Sequence, residues 1–164
     1  MTKKSNTKHI LILVSPYYEE ISSELLKGAK AALSEAGATY EECELPGALE
    51  LPIAFSTAVD AGLFDEDPNS YFHGAVALGC VIRGETSHYD IVAGESARAL
   101  IDIAVKEQIP LGNGILTVEN QEQALVRARV DEKNKGRDAA RACLRLIEVA
   151  DEFNAIADDE EGGQ

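Results

Sequence analysis

Three strand-like runs, at residues 9–15 (HILILVS), 74–82 (GAVALGCVI) and 110–117 (PLGNGILT), each give way within a few residues to apolar positions recurring at helical spacing. A run that is apolar at consecutive positions rather than alternate ones suits a strand covered on both faces. Such strands, alternating with helices, leave few architectures open: a parallel sheet with right-handed crossovers and helices packed on both sides. The 164 residues, 45% hydrophobic and 27% charged, suffice for one domain with its own core and fall short of two.

Along the chain, Pro16 opens a loop, after which Ile21, Leu25, Ala29, Ala32, Leu33 and Ala36 form a helical stripe. Gly37 follows where a left-handed C-terminal cap is needed. Residues 39–45 predict a second strand, Pro46 and Gly47 a turn, and 49–61 a helix that tolerates Pro52 in its first turn. Residues 62–73, with Asp65, Glu66, Asp67, Pro68 and Asn69, read as an exposed polar connection without chemistry. A third helix is predicted at 87–108, a fourth from Gln121, and a last one whose stripe is Ala139, Cys143, Leu146, Ile147 and Ala150. No internal repeat is present. Residues 1–8 are expected to be a flexible arm and 156–164 a disordered acidic tail, leaving 9–155 as a single domain.

A formal charge of −14 disfavours nonspecific attraction to nucleic acid or to an anionic membrane. Cys43, Cys80 and Cys143 are odd in number and lack C-x-x-C spacing, and there is no basic apolar leader or long apolar span. A reducing cytoplasm is the expected compartment. His9, His73 and His88 are scattered without the spacing of metal ligands, so no metal is expected.

Ligands of parallel α/β proteins sit beyond the carboxyl ends of the strands, so chemistry is sought there. The third run continues into RGETSHYD, which gathers Gly84, Glu85, Thr86, Ser87 and His88 ahead of a helix. Ser87-x-x-Asp90 has the form of a capping box, which places His88 in the first helical turn, at the positive end suited to an imidazole that accepts a proton. Gly84 lets backbone N–H groups face a ligand. In ELPGALELP, residues 44–52, Glu50 can accept hydrogen bonds from a polyol or simply favour the N-terminus of its own helix. Arg127, Arg129 and Lys135 can clamp a phosphate or serve as solvated counter-charges. Tyr17 and Tyr18 can stack on a heteroaromatic ring or stand exposed in their loop.

Four segments, PGALELP, LGCVIRGETSHYD, GNGILTVENQEQALVRA and NKG, stand in an order and spacing that closely resemble the lumazine synthase family, over roughly residues 10–150. The resemblance implies a three-layer α/β/α fold with a four-stranded, mainly parallel flavodoxin-like sheet. It implies condensation of 5-amino-6-(D-ribitylamino)uracil with 3,4-dihydroxy-2-butanone 4-phosphate to 6,7-dimethyl-8-ribityllumazine, a step of riboflavin biosynthesis that needs no cofactor. Carried over by position, Tyr17 matches the aromatic that stacks on the pyrimidine, Ala48, Leu49 and Glu50 the segment holding the ribityl chain, and Val81 and Ile82 the backbone facing the pyrimidine edge. Gly84, Glu85 and Thr86 match the phosphate loop, His88 the proton-transfer residue, Arg127 the phosphate-binding cation and Lys135 a supporting charge.

In that family the site lies between neighbouring subunits, so Asn113, Arg127 and Lys135 are expected from a partner copy and the expected assembly is a homopentamer. A dimer of pentamers and an icosahedral shell are the alternative assemblies. Two segments depart from the family pattern. Asn113 stands where many relatives place an aromatic ring. Residues 129–133, RVDEK, bring Asp131 and Glu132 to a turn that contains glycine and lysine in shell-forming relatives, which sets like charges against one another where pentamers would meet. A flavin- or lumazine-binding relative with little turnover, or a shell-forming scaffold, are the competing functions.

Overall fold

The computed structural model describes residues 7–65 and 70–162. Nine elements follow one another: β1 (His9–Val14), α1 (Glu19–Glu35), β2 (Thr39–Glu44), α2 (Glu50–Asp60), β3 (Gly74–Ile82), α3 (His88–Glu107), β4 (Leu111–Val118), α4 (Gln121–Ala128) and α5 (Lys135–Glu161). The strands form one sheet in the order β2-β1-β3-β4, parallel throughout. This is the three-layer, flavodoxin-like arrangement expected, with the sheet wholly rather than mainly parallel.

Strand periodicity builds the two cores. Ile10, Ile12 and Val14 of β1, with Val76 and Leu78 of β3, point to one face and pack against Ile21, Leu25 and Leu33 of α1 and against Ala140, Cys143 and Ile147 of α5. The intervening Leu11, Leu13, Ala75 and Ala77 point the other way, onto Leu51 and Phe55 of α2 and Leu100 of α3. Because β1 and β3 are central and covered on both sides, they carry no polar alternation, as their sequence requires. Edge strand β2 (TYEECE) is exposed at four of its six positions and places Glu41, Glu42 and Glu44 there, charges that discourage pairing with another chain. Helix α5 crosses β4 so closely that a Cβ on Gly112 would overlap the carbonyl of Ala139.

Several expectations are corrected by the structure. Gly37 does take the left-handed conformation, φ 72°, just past α1. The capping box at Ser87 does not form: Ser87 has helical φ and ψ and makes no side-chain cap, and the His88 N–H instead donates to Thr86 Oγ1 at 3.3 Å. Asp90 is drawn off by Arg83, 3.4 Å away, which leaves no reciprocal partner for Ser87. In α5, Leu146 lies outside the buried stripe, which runs through Ala139, Ala140, Cys143 and Ile147. That helix also continues to Glu161, past the boundary drawn at residue 155. The connection before β3 is not merely polar, since Phe72 is buried between the rings of His9 and Phe64. Residues 1–6 of the expected arm, 66–69 of that connection and 163–164 of the tail lie outside the described residues.

Candidate active site

After β1 the chain returns to the sheet as β2 on one side and, later, as β3 on the other, so the loops leaving β1 and β3 diverge and open a crevice at their carboxyl ends. A cleft of about 440 Å³ occupies that point. Three loops wall it: Ser15, Tyr17 and Tyr18 after β1, Gly47, Ala48, Leu49 and Glu50 after β2, and Cys80, Val81, Ile82, Gly84, Thr86, His88, Tyr89 and Val92 from β3 into α3. Its floor is apolar, formed by Ala48, Val81 and Val92.

Each wall is held by local hydrogen bonds. The Ser15 N–H donates to the carbonyl of Leu78 at 2.9 Å, and its hydroxyl donates to the carbonyl of Pro46 at 3.4 Å, which ties the loops after β1 and β2 together. Glu50 is half-buried and folds back toward Gly47, with Oε2 2.9 Å from where a Cβ of residue 47 would stand. A side chain at 47 would displace that carboxylate from the cleft wall. Tyr17, 73% exposed, meets Tyr18 edge to face at 5.0 Å and keeps one ring face open. Burial first, then the neighbouring Tyr17 and Cys80, raise the Tyr18 phenol above its ordinary range, so it stays a hydrogen-bond donor. Burial likewise pushes the Cys80 thiol up to about 12, which excludes it as a thiolate nucleophile near neutral pH.

His88 is exposed on the first residue of α3, and its ring makes no hydrogen bond to any described residue, so both nitrogens are available to a ligand. Beside it, the segment 84–87 is exposed, and a Cβ on Gly84 would meet nothing within 4 Å. The space around this loop is therefore open to a ligand rather than filled by the protein. Among the described residues no cluster of His, Cys, Asp or Glu could hold a metal ion.

The sequence-predicted residues divide into two groups. Tyr17, Ala48, Leu49, Glu50, Val81, Ile82, Gly84, Thr86 and His88 share the cleft just described, and Glu85 stands exposed within the same loop. Asn113, Arg127 and Lys135 do not reach it. They line a second concavity of about 360 Å³ along the open edge of β4, with Thr117, Asp138 and Ala142. There Asn113 Oδ1 accepts from the N–H of Ile115 at 3.0 Å, Arg127 donates to the carbonyl of Gln123 at 3.0 Å, and Lys135 pairs with Asp138 at 3.2 Å. Sequence reasoning missed Ser15, Cys80, Tyr89 and Val92, whose signal was only their position beside residues already singled out. A larger cavity of about 680 Å³ lies at the amino end of the sheet, lined by Lys8, His73, Pro110 and Asp151 among others. It is remote from the strand ends that deliver loops to a ligand.

With this geometry established, comparison with known proteins is specific. Residues 7–151 match the family model described as 6,7-dimethyl-8-ribityllumazine synthase. A protein of that name from Methylorubrum extorquens (strain PA1) is 56% identical over 140 residues, which is 85% of this chain and 79% of the relative. One from Agrobacterium fabrum (strain C58 / ATCC 33970) is 55% identical over 141 residues, 86% of this chain and 93% of the relative. The 6,7-dimethyl-8-ribityllumazine synthase 1 of Rhizobium meliloti (strain 1021) is 53% identical over 147 residues, 90% of this chain and 94% of the relative.

Proposed function

We propose a division of labour among the residues of two clefts from the premise that this chain belongs to the 6,7-dimethyl-8-ribityllumazine synthase family. The chain is a transferase of riboflavin biosynthesis that condenses 5-amino-6-(D-ribitylamino)uracil with 3,4-dihydroxy-2-butanone 4-phosphate, releasing phosphate and water. The roles of individual residues and the assembly are our reading.

The pyrimidine stacks on the open face of Tyr17, and its edge bonds to the backbone of Val81 and Ile82. The ribityl chain runs past Ala48 and Leu49 to Glu50, whose carboxylate accepts from its hydroxyls. The phosphate of the ketone rests on the loop of Gly84, Glu85 and Thr86, where the positive N-terminal end of α3 attracts an anion. The amine of the uracil attacks the ketone to give an imine with loss of water. Phosphate is then eliminated, and ring closure releases water again. His88, with both nitrogens free, carries protons between these steps. Both substrates are already reactive, so positioning and charge placement supply most of the acceleration.

Arg127 and Lys135 complete the phosphate site from a neighbouring copy, and Asn113 supplies a polar contact to the bound heterocycle. The observation that carries this reading is the separation of the predicted residues into two concavities of one chain, each lacking what the other holds. A homopentamer closes such a head-to-tail arrangement into a ring. Exposed Ile53 of α2 and Ile91, Ile101 and Val105 of α3 provide apolar surface for that contact. Free thiols at Cys43, Cys80 and Cys143 fit a cytoplasmic enzyme, and among the described residues no helix is long and apolar enough to cross a membrane.

The direct test is turnover of the two substrates by the purified protein, followed by lumazine fluorescence, beside His88→Ala. Turnover that falls about a hundredfold in the variant, near the lower end of what general acid–base catalysis contributes, is the expected result. Unchanged turnover would remove His88 from the chemistry, and tight lumazine binding without turnover would favour the binding-protein alternative.

A further inference from the structure

Arg83 is the last residue before the loop of Gly84 to Ser87, and its side chain reaches three residues on two separate elements. Its Nε donates to Glu119, in the turn between β4 and α4, at 2.9 Å. Its Nη1 donates to Asp90 in the first turn of α3 at 3.4 Å, and the guanidinium lies 4.1 Å over the ring of Tyr89. The Arg83 N–H also donates to the carbonyl of Val118 at 2.9 Å, so backbone and side chain grip the same turn. That turn is itself rigid: Asn120 caps α4 by accepting from the N–H of Gln123, and the Gln123 side chain accepts from the N–H of Glu119. In and just after the loop that follows Arg83, the His88 N–H donates to Thr86 Oγ1 at 3.3 Å and the Asp90 N–H to the carbonyl of Ser87 at 3.0 Å, local bonds that tie it to no other element.

We propose that Arg83 is a positioning residue: by clamping the first turn of α3 to the β4–α4 turn it fixes His88, Tyr89 and the phosphate loop relative to the cleft. The inference rests on the reading that this loop and His88 serve the phosphate-bearing ketone. Two features separate a clamp from a phosphate ligand. The guanidinium is committed on two edges to carboxylates and on one face to an aromatic ring, and the cleft is lined by Tyr89 rather than by Arg83. Its ion pairs are also well exposed, with side-chain exposures of 40% for Arg83, 64% for Asp90 and 58% for Glu119. Pairs so exposed contribute little to folding stability, so the effect of breaking them is expected in catalysis.

The experiment compares steady-state kinetics for each substrate, and thermal midpoints, in the full-length protein and in Arg83→Gln, Arg83→Lys, Asp90→Asn/Glu119→Gln and Arg127→Ala. Loss of the clamp should lower kcat and raise KM for the ketone phosphate, together costing on the order of a hundredfold in kcat/KM, the scale of an ångström's misplacement. KM for the ribitylaminouracil, held by the loops after β1 and β2 and by the sheet-bonded backbone of β3 ahead of Arg83, should change by no more than about twofold on the same argument. Lysine cannot bridge two carboxylates and stack at once, so Arg83→Lys should resemble Arg83→Gln. The Asp90→Asn/Glu119→Gln variant, which keeps the arginine and frees it, should lose as much as Arg83→Gln. Rescue by lysine, or full activity in the carboxylate variant, would make Arg83 a direct anion contact and overturn the clamp. Equal loss for both substrates with a lowered thermal midpoint would make its role structural and likewise overturn it. Normal kinetics in Arg83→Gln beside an impaired Arg127→Ala would overturn the clamp alone, whereas normal kinetics in both would overturn the phosphate-site reading and the clamp with it.

Discussion

At the scale of single residues, Arg127 and the buried thiols give separable expectations. If Arg127 binds phosphate as proposed, Arg127→Ala removes a charge-assisted hydrogen bond worth roughly 1.5 to 3 kcal/mol, so KM for the ketone phosphate should rise about tenfold or more while that for the uracil substrate stays nearly constant. Equal weakening of both substrates would defeat the assignment. Burial, opposed in part by hydrogen bonds from the backbone of Ala75 and Gly112, pushes the Cys143 thiol up to about 12, and burial alone does the same for Cys80. Both folded values lie above the ordinary 9.0 of an unfolded thiol, so between about 9 and 12 the unfolded chain loses protons that the folded chain keeps. Stability should therefore fall as pH rises through that window. Alkylation at pH 8 should mark the buried Cys143 only after denaturation and the partly buried Cys80 slowly in the native protein; rapid labelling of native Cys143 would contradict its burial. That His88, Glu50 and Tyr17 would share one cleft was legible in the sequence, because each follows a predicted strand end. Ser15 and Tyr89 were not legible, since a serine closing a strand and a tyrosine entering a helix carry no mark of a cleft until the loops are assembled.

At the scale of elements, β1, β3 and β4 could be read from their apolar runs to within a residue or so, because burial on both faces leaves so little choice of side chain. The start of α3 was read to within a residue, but its cap was misread for an electrostatic reason: a capping box competes with any stronger partner for its acid, and the Arg83 guanidinium is a better partner for Asp90 than a backbone N–H. Glycines separate packing from ligand access in the same way. A Cβ on Gly112 has no room against Ala139 of α5, so Gly112→Ala should destabilise by about 1–3 kcal/mol, as overpacking does, in equilibrium denaturation. A Cβ on Gly84 meets nothing, and its φ is not in the left-handed region, so Gly84→Ala should leave the denaturation midpoint unchanged. If that loop holds phosphate through its backbone, Gly84→Ala should nonetheless raise KM for the ketone phosphate. A stable Gly84→Ala protein with normal kinetics would show that the anion does not approach there.

At the scale of the whole molecule, what no single sequence position reveals is that the predicted site is split. The strand order places the crevice between β1 and β3 on one side of the sheet's carboxyl end, while Asn113, Arg127 and Lys135 face the open edge of β4. If the two concavities are halves of one site, as proposed, a ring of identical copies would supply each site with one half from each of two subunits. Complementation tests this arrangement. Proteins carrying His88→Ala and Arg127→Ala, each impaired alone when the ketone phosphate is held well below KM, should regain activity under that condition when unfolded together in equal amounts and refolded. Random assembly then places an intact His88 opposite an intact Arg127 in about a quarter of the sites, so about a quarter of wild-type turnover is the expected recovery for head-to-tail contacts. Recovery should track particles of pentameric mass or larger by light scattering. No recovery in mixed oligomers that have demonstrably exchanged subunits would place both residues in one chain's site, and with it would fall the reason for expecting the isolated protomer to be a poor enzyme.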